Sequence, residues 1–193
     1  MSKRTGIERQ DTGNAGEPAA VATRRWLERA VIGLNLCPFA KAVHVKNLIR
    51  YVVSAAQTPE DLLAELISEL HVLRAADASE IDTTLLVHPL VLGDFLDYND
   101  FLELADAAVA GEGMAGEIQI ASFHPRYQFA GTRPEDIENC SNRAPYPTLH
   151  LLREASIERA VAAFPDAAAI FERNIETLRR LGHDGWRRLG VGG

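Results

Sequence analysis

Apolar side chains recur at three- and four-residue spacing over residues 20–36, where Val21, Trp26, Leu27, Ala30, Val31 and Leu34 share one face of a predicted amphipathic helix. Cys37-Pro38 ends or interrupts it. The run NLIRYVVSA at 47–55 is rich in β-branched and aromatic groups and predicts a strand. Thr58-Pro59-Glu60-Asp61 then combines a Thr cap, a first-turn Pro and acids at the positive pole of the dipole, and Leu62, Leu63, Leu66, Ile67, Leu70 and Leu73 supply the buried stripe of the helix that follows. A second strand is predicted at 82–88, a helix at 94–110 and a third strand at 117–124. Each intervening helix is long enough for a crossover, so the three strands are expected to be parallel.

Beyond His124 the periodicity lapses for more than twenty residues. A short helix after Thr132, where Thr132-Arg133-Pro134-Glu135 matches a capping box, is the one regular element expected there. Loops of this length in compact domains are functional or disordered. Tyr127, Phe129, Ile137 and Tyr146 give this one side chains to pack, so it is expected to be ordered. Pro147-Thr148 resembles a helix start, continued by Leu149, Leu152, Ala160, Val161 and Phe164, and Pro165-Asp166 opens a last helix that stops at Gly182. The expected fold is α/β, a small parallel three-stranded sheet flanked by about five helices with a helix-rich C-terminal part. Residues 1–18 read as a disordered tail, 19–185 as a single α/β domain and 186–193 as a flexible C-terminal tail.

Charge changes this picture more than composition does. With 193 residues, 47% hydrophobic and 24% charged, the chain has the makings of one folded domain. The net charge of −7 opposes nucleic acid and anionic membrane surfaces, so neither is an expected partner. Residues 58–117 hold fourteen acidic groups against one basic group, Arg74, which predicts acidic solvent faces on the two middle helices. The N-terminus lacks the apolar core of a signal peptide, and a cytoplasmic protein with two free thiols, Cys37 and Cys140, is expected. The oligomeric state is not legible.

Chemistry is suggested at three places. Strands two and three both end in His-Pro, at His88-Pro89 and His124-Pro125, and a parallel sheet would put both imidazoles at its carboxyl edge, where ligands bind. The loop behind His124 carries Arg126, Tyr127, Ser141, Asn142, Arg143 and Tyr146, able to hold a carboxylate or phosphate, or else to rigidify the loop through arginine contacts to its carbonyls. Cys37 stands at the start of a new helical turn, with Lys41 one turn on, where free N–H groups lower a thiol pKa; a buried small side chain at a helix bend is the other reading. His150 and Glu154, four apart on the expected helix, share a face. Gly111-Glu112-Gly113-Met114-Ala115-Gly116 fits G-x-G-x-x-G but follows a helix and precedes a strand, so it is a turn and no nucleotide cofactor motif is present.

The strings NLCPFAK at 35–41, TLLVHPLVLGDFLDYNDFL at 84–102, ASFHPRYQFAGT at 121–132 and NRAPYPTLHLLREAS at 142–156 together resemble a bacterial and plastid family, the domain of unknown function numbered fourteen-fifteen. The resemblance spans about residues 20–185 and implies relatives without an assigned reaction. The positions that carry over are Cys37, Pro38, His88, Asp94, His124, Tyr127, Asn142, Arg143, Tyr146, His150, Arg153 and Glu154; Cys140 and Ala144 depart from the pattern. Three functions are therefore weighed. The first is a small soluble enzyme acting on an anionic metabolite, with Cys37 as nucleophile or redox thiol, His124 as acid or base, and Arg126 and Arg143 holding a substrate that Tyr127, Asn142 and Tyr146 line. The second is a mononuclear metal site of His88, His124 and His150, joined by Cys37, Asp94 or Glu154. The third is a non-catalytic module whose Arg- and Tyr-rich loop binds an anion or peptide.

Overall fold

The computed structural model describes residues 16–162 and 169–192. Residues 1–15 of the expected tail, and the Phe164 and Pro165-Asp166 positions of the last helices, lie outside the described residues. β1 (Ile49–Val53), β2 (Thr83–Val87) and β3 (Ile118–Phe123) form where β-branched and apolar residues cluster. α3 (Pro59–Ala75) links the first two strands, and α4 (Phe95–Gly111) links β2 to β3. Both helices begin on side-chain caps: Thr58 Oγ1 accepts from the Asp61 N–H at 3.2 Å, and the Asp94 carboxylate accepts from the Leu96 N–H at 2.9 Å.

The sheet has four strands, not three, and it is mixed. Residues 148–153, expected to be helical, form β4 (Thr148–Arg153), and the strand order is β1-β2-β4-β3. β1 runs parallel to β2, while β4 runs antiparallel to both β2 and β3. The three expected strands therefore do share one direction, with β4 inserted against them. Leu149 and Leu151 are buried on one face while His150 and Leu152 face the other, but Leu152 is as apolar as its neighbour, so the sequence loses the alternation that marks a strand, and the three-residue spacing of Leu149 and Leu152 imitates a helix.

Each face of the sheet carries its own core. On one, Leu86, Ile118, Leu149 and Leu151 pack against Leu62, Leu66, Leu70 and Leu73 of α3 and Tyr98, Phe101 and Ala105 of α4. Each such burial is worth about 1.5–3 kcal/mol. Arg50 on β1 grips the Glu69 carboxylate of α3 with two bonds, at 2.8 and 3.0 Å. Arg153, at the end of β4, donates to the carbonyls of Leu73, Ala76 and Ile81, satisfying the carboxyl end of α3. The exposed acids of both helices coat the solvent side, as the charge pattern predicts.

The second face is covered from both ends of the chain. The expected helix at 20–36 divides into α1 (Gly16–Trp26) and a π-helical segment, Leu27–Ile32, continued by wide turns in which the Gly33 and Leu36 N–H groups reach the carbonyls five residues back, at 3.0 and 2.9 Å. A Cβ on Gly33 would stand 2.3 Å from the Arg29 carbonyl oxygen, so this bend requires glycine. Trp26, Leu27, Ala30 and Val31 pack with Leu178, Trp186 and Val191, and Trp26 meets Phe123 of β3 edge-on at 5.0 Å. Residues 186–191 are thus not a flexible tail. α6 (Ile170–Leu189) breaks at Gly182, φ 66°, but resumes beyond it and buries Trp186, so the expected stop is a kink. Two short helices, α2 (Ala40–Val45) and α5 (Glu154–Ala162), flank the same face without burying a single residue. No described helix is long and apolar enough to cross a membrane.

Candidate functional site

Sheet register decides which side chains meet beneath α2 and α5. Leu85, His150 and Ala121 lie in one row across β2, β4 and β3, and Thr83, Leu152 and Gln119 form the next row on the same face. These six residues floor a cavity of about 610 Å³. Its other walls are Trp26, Leu27 and Val31, the segment around Cys37, Pro38 and Val43, and Ser156, Ile157 and Ala160 of α5. The lining is predominantly apolar, with a few polar groups, in the size range of small-molecule sites. Small Ala121 and the sparse cover of α2 and α5 leave the space open.

His150 is the polar group at its centre. The Thr83 hydroxyl donates its single proton to the Leu151 carbonyl at 2.6 Å, so toward His150 Nε2, at 2.7 Å, it accepts. The imidazole is thereby fixed as the Nε2–H tautomer, and its Nδ1 lone pair has no partner among the described residues. Burial pushes the pKa of His150 down to about 4, so the ring stays neutral at physiological pH.

Cys37 lines the same cavity. Burial raises its thiol pKa, outweighing the backbone hydrogen bonds from Phe39 and Ala40 that favour the thiolate. The lowered pKa expected of a helix-start cysteine is therefore not found. Among the described residues its sulfur makes no hydrogen bond to an imidazole, and His124 is not in the walls that surround it. Cys37 and His150 are brought to one cavity; Cys37 and His124 are not.

The two His-Pro sequences meet at the carboxyl edge, as expected, but there they hold a loop. Three consecutive carbonyls are clamped: Val91 accepts from His88 Nδ1 at 3.1 Å, Leu92 from His124 Nε2 at 3.2 Å, and Gly93 from Arg126 at 2.6 Å. Leu92 takes a left-handed backbone, φ 56°, a conformation that the clamp holds against a cost of about 1 kcal/mol. His124 Nδ1 also accepts from the Arg126 N–H at 3.0 Å, so both of its nitrogens are engaged. Tyr98 stacks between the two imidazoles, with ring centroids 5.7 Å from His88 and 5.1 Å from His124. Its hydroxyl donates to the Thr148 carbonyl at 2.9 Å and accepts from the Phe123 N–H at 3.2 Å, bridging β4 and β3. Burial lowers both histidine pKa values, that of His88 to about 4, and raises that of Tyr98.

The long loop is ordered through arginine and asparagine contacts to carbonyls. Arg143 donates to the carbonyls of Tyr127 and Pro134, at 3.2 and 2.5 Å, and Asn142 to that of Ser122 at 3.1 Å. Tyr127 packs between Phe95 and Phe129, with centroids at 5.2 and 5.0 Å. The Tyr146 carbonyl accepts from the Thr148 hydroxyl at 3.0 Å. Arg126 additionally pairs with Asp94 at 3.0 Å. Fully buried Asn139, which sequence reasoning passed over, binds the Phe129 N–H, the Thr132 hydroxyl and the Arg133 carbonyl from a 3₁₀ turn, Ile137–Ser141. Cys140 beside it is buried and a free thiol. His150 and Glu154 do not share a helix face, because His150 is on a strand. Among the described residues no three His, Cys, Asp or Glu side chains gather closely enough to hold a metal ion.

Fold and site together define an α/β protein with a mixed four-stranded sheet, a tightly clamped carboxyl edge and an apolar cavity over one face. Within that class, the chain belongs to the family described as Protein of unknown function (DUF1415), which matches residues 19–188. Neither a curated protein nor a solved structure matches the chain.

Proposed function

We propose that this protein binds a small, mostly apolar molecule in the cavity over β2, β4 and β3, and that His150 Nδ1 accepts a hydrogen bond from a hydroxyl of that molecule. The observation that carries the reading is the imidazole locked by Thr83 with its free lone pair in an otherwise apolar chamber. A ligand that fills the cavity displaces water from this nitrogen, so one that supplies a donor there is favoured over one that does not. The reading replaces the anion-holding loop as the site, because Arg126 and Arg143 already bind loop carbonyls.

Titration of the protein with 1-decanol, followed through the ¹⁵N resonance of His150 Nδ1, tests it. The expected result is a saturable shift of that resonance with the Leu85 and Ala121 amides. His150→Leu should weaken binding on the order of fivefold, the value of one neutral hydrogen bond. Absence of saturation at these sites would overturn the reading.

A second reading, an enzyme that uses Cys37, is favoured by one observation: the thiol shares the cavity with the free imidazole nitrogen. In that reading His150, not His124, is the base. Labelling with iodoacetamide across pH tests it: a thiol served by His150 should react at neutral pH and lose that reactivity in His150→Leu, whereas reaction only at alkaline pH, unchanged in His150→Leu, would overturn the reading.

A further inference from the structure

Hydrogen-bond direction around His150 narrows what the cavity can hold. Nδ1 is an acceptor, and its surroundings return no donor to a ligand hydroxyl: the Thr83 proton goes to the Leu151 carbonyl at 2.6 Å, and the His150 Nε2–H goes to Thr83 at 2.7 Å. Farther out, Ser156 donates to Asp82 at 2.5 Å, Arg153 donates to the carbonyls that close α3, and Gln119 is exposed at the rim. The Cys37 S–H is only a weak donor. A hydroxyl placed on His150 therefore gives one strong hydrogen bond and receives none, and its own oxygen loses the water it had outside.

The two ends of the chamber also differ. Phe123, diagonal to His150 across β3 and β4, is partly exposed, with its ring centroid 6.1 Å from the imidazole at 42°, and Trp26 backs it edge-on at 5.0 Å. In the opposite direction the floor continues to Leu152. There α5, which starts where the Glu154 N–H meets the Glu117 carbonyl at 2.9 Å, brings Ile157 and Ala160 into the wall. One end is aromatic and the other aliphatic, with His150 and Ala121 between them.

A phenol answers both features. Its oxygen lone pair is delocalised into the ring, which makes it a stronger donor than an alkanol, with a pKa of about 10, and a weaker acceptor that loses less when no donor reaches its oxygen. Its ring also gains contact with Phe123 that a saturated ring of the same size does not. We infer that the ligand is a phenol with an aliphatic substituent, its hydroxyl on His150, its ring beside Phe123 and its substituent toward Leu152, Ile157 and Ala160. The inference rests on the cavity reading above and names the class of molecule that occupies it.

Calorimetric titration with 3-pentylphenol and with 3-pentylcyclohexanol, which share skeleton and hydroxyl and differ in the ring, tests this. The wild-type protein is expected to bind the phenol on the order of tenfold more tightly. In His150→Leu, shown by a thermal melt to be folded, the advantage should shrink to the roughly two- to threefold that ring contact with Phe123 supplies. A measurement on the wild type alone stands beside it: the phenol, as the stronger donor, should displace the ¹⁵N resonance of His150 Nδ1 further at saturation than the cyclohexanol does. Equal affinity for the two probes, equal displacement of the resonance, or an advantage undiminished in His150→Leu overturns the phenol assignment and leaves the cavity reading in place. If neither probe binds but 1-decanol does, the phenol assignment alone falls; if none of the three binds, the cavity reading falls with it.

Discussion

His88 and His150 are neutral imidazoles held where a proton is unwelcome, and this sets how the fold responds to acid. Burial lowers both pKa values from an ordinary 6.5 to about 4. Well above pH 6.5 neither ring binds a proton, folded or unfolded. Below it the unfolded chain takes up protons that the folded chain refuses, so stability falls with pH until the folded rings titrate near 4. Each ring withdraws up to about 3 kcal/mol over that interval. Urea midpoints at pH 7.0, 5.5 and 4.5 should decrease in that order, and His150→Leu should remove part of the slope; a midpoint independent of pH over this range would contradict the burial of the two rings. The positions of the two His-Pro histidines were legible because strand ends and prolines are written in the sequence. Their work as clamps was not, since it depends on residues 91–93 turning their carbonyls back toward them. Thr83 and Ala121 carried no signal, because their meeting with His150 comes from cross-strand register.

At the level of elements, two joints carry more than their share of the structure. The Tyr98 hydroxyl takes the place of a ladder bond between β3 and β4, and Tyr98→Phe leaves the Phe123 N–H and the Thr148 carbonyl without it. The expected cost is about 1–3 kcal/mol in chemical denaturation, with amide exchange at Phe123 accelerated; unchanged stability would mean that water replaces the hydroxyl at no cost. Gly33 closes the wide turns after Leu27–Ile32, and Gly33→Ala should destabilise by about 1–3 kcal/mol through collision with the Arg29 carbonyl, read from the same denaturation curves. Neither joint is visible in periodicity. α3 and α4 were legible nearly to the residue because Thr58 and Asp94 announce their starts and one face of each is exposed. β4 was missed because apolar Leu151 and Leu152 stand side by side although they face opposite sides of the sheet, which breaks the alternation by which strands are recognised, and α5 follows it without a turn.

For the whole molecule, the sheet separates two unequal halves. The half beneath α3 and α4 is a continuous apolar core, whereas the other is packed around Trp26 and Trp186 and left open under α2 and α5, which bury nothing. Hydrogen exchange should therefore be faster in α2 and α5 than in α3 and α4, and binding of a cavity ligand should slow it in the first pair alone; equal protection in all four helices would show that the open half is no looser than the closed one. The α/β class, the shared direction of three strands and the acidic face were legible in pattern and charge, which are local. The cavity was not, because it arises where two helices fail to cover a sheet, and no single segment records a space between others. The insertion of β4 between β2 and β3 also fixes a sequence of events during synthesis. Until residues 148–153 have emerged, the β3 segment has no neighbour and β2 has one, so a nascent chain carries two unsatisfied strand edges for more than twenty residues of elongation. A chain cut short before Thr148 would lack the strand that joins its halves, leaving both edges open to pairing with other chains.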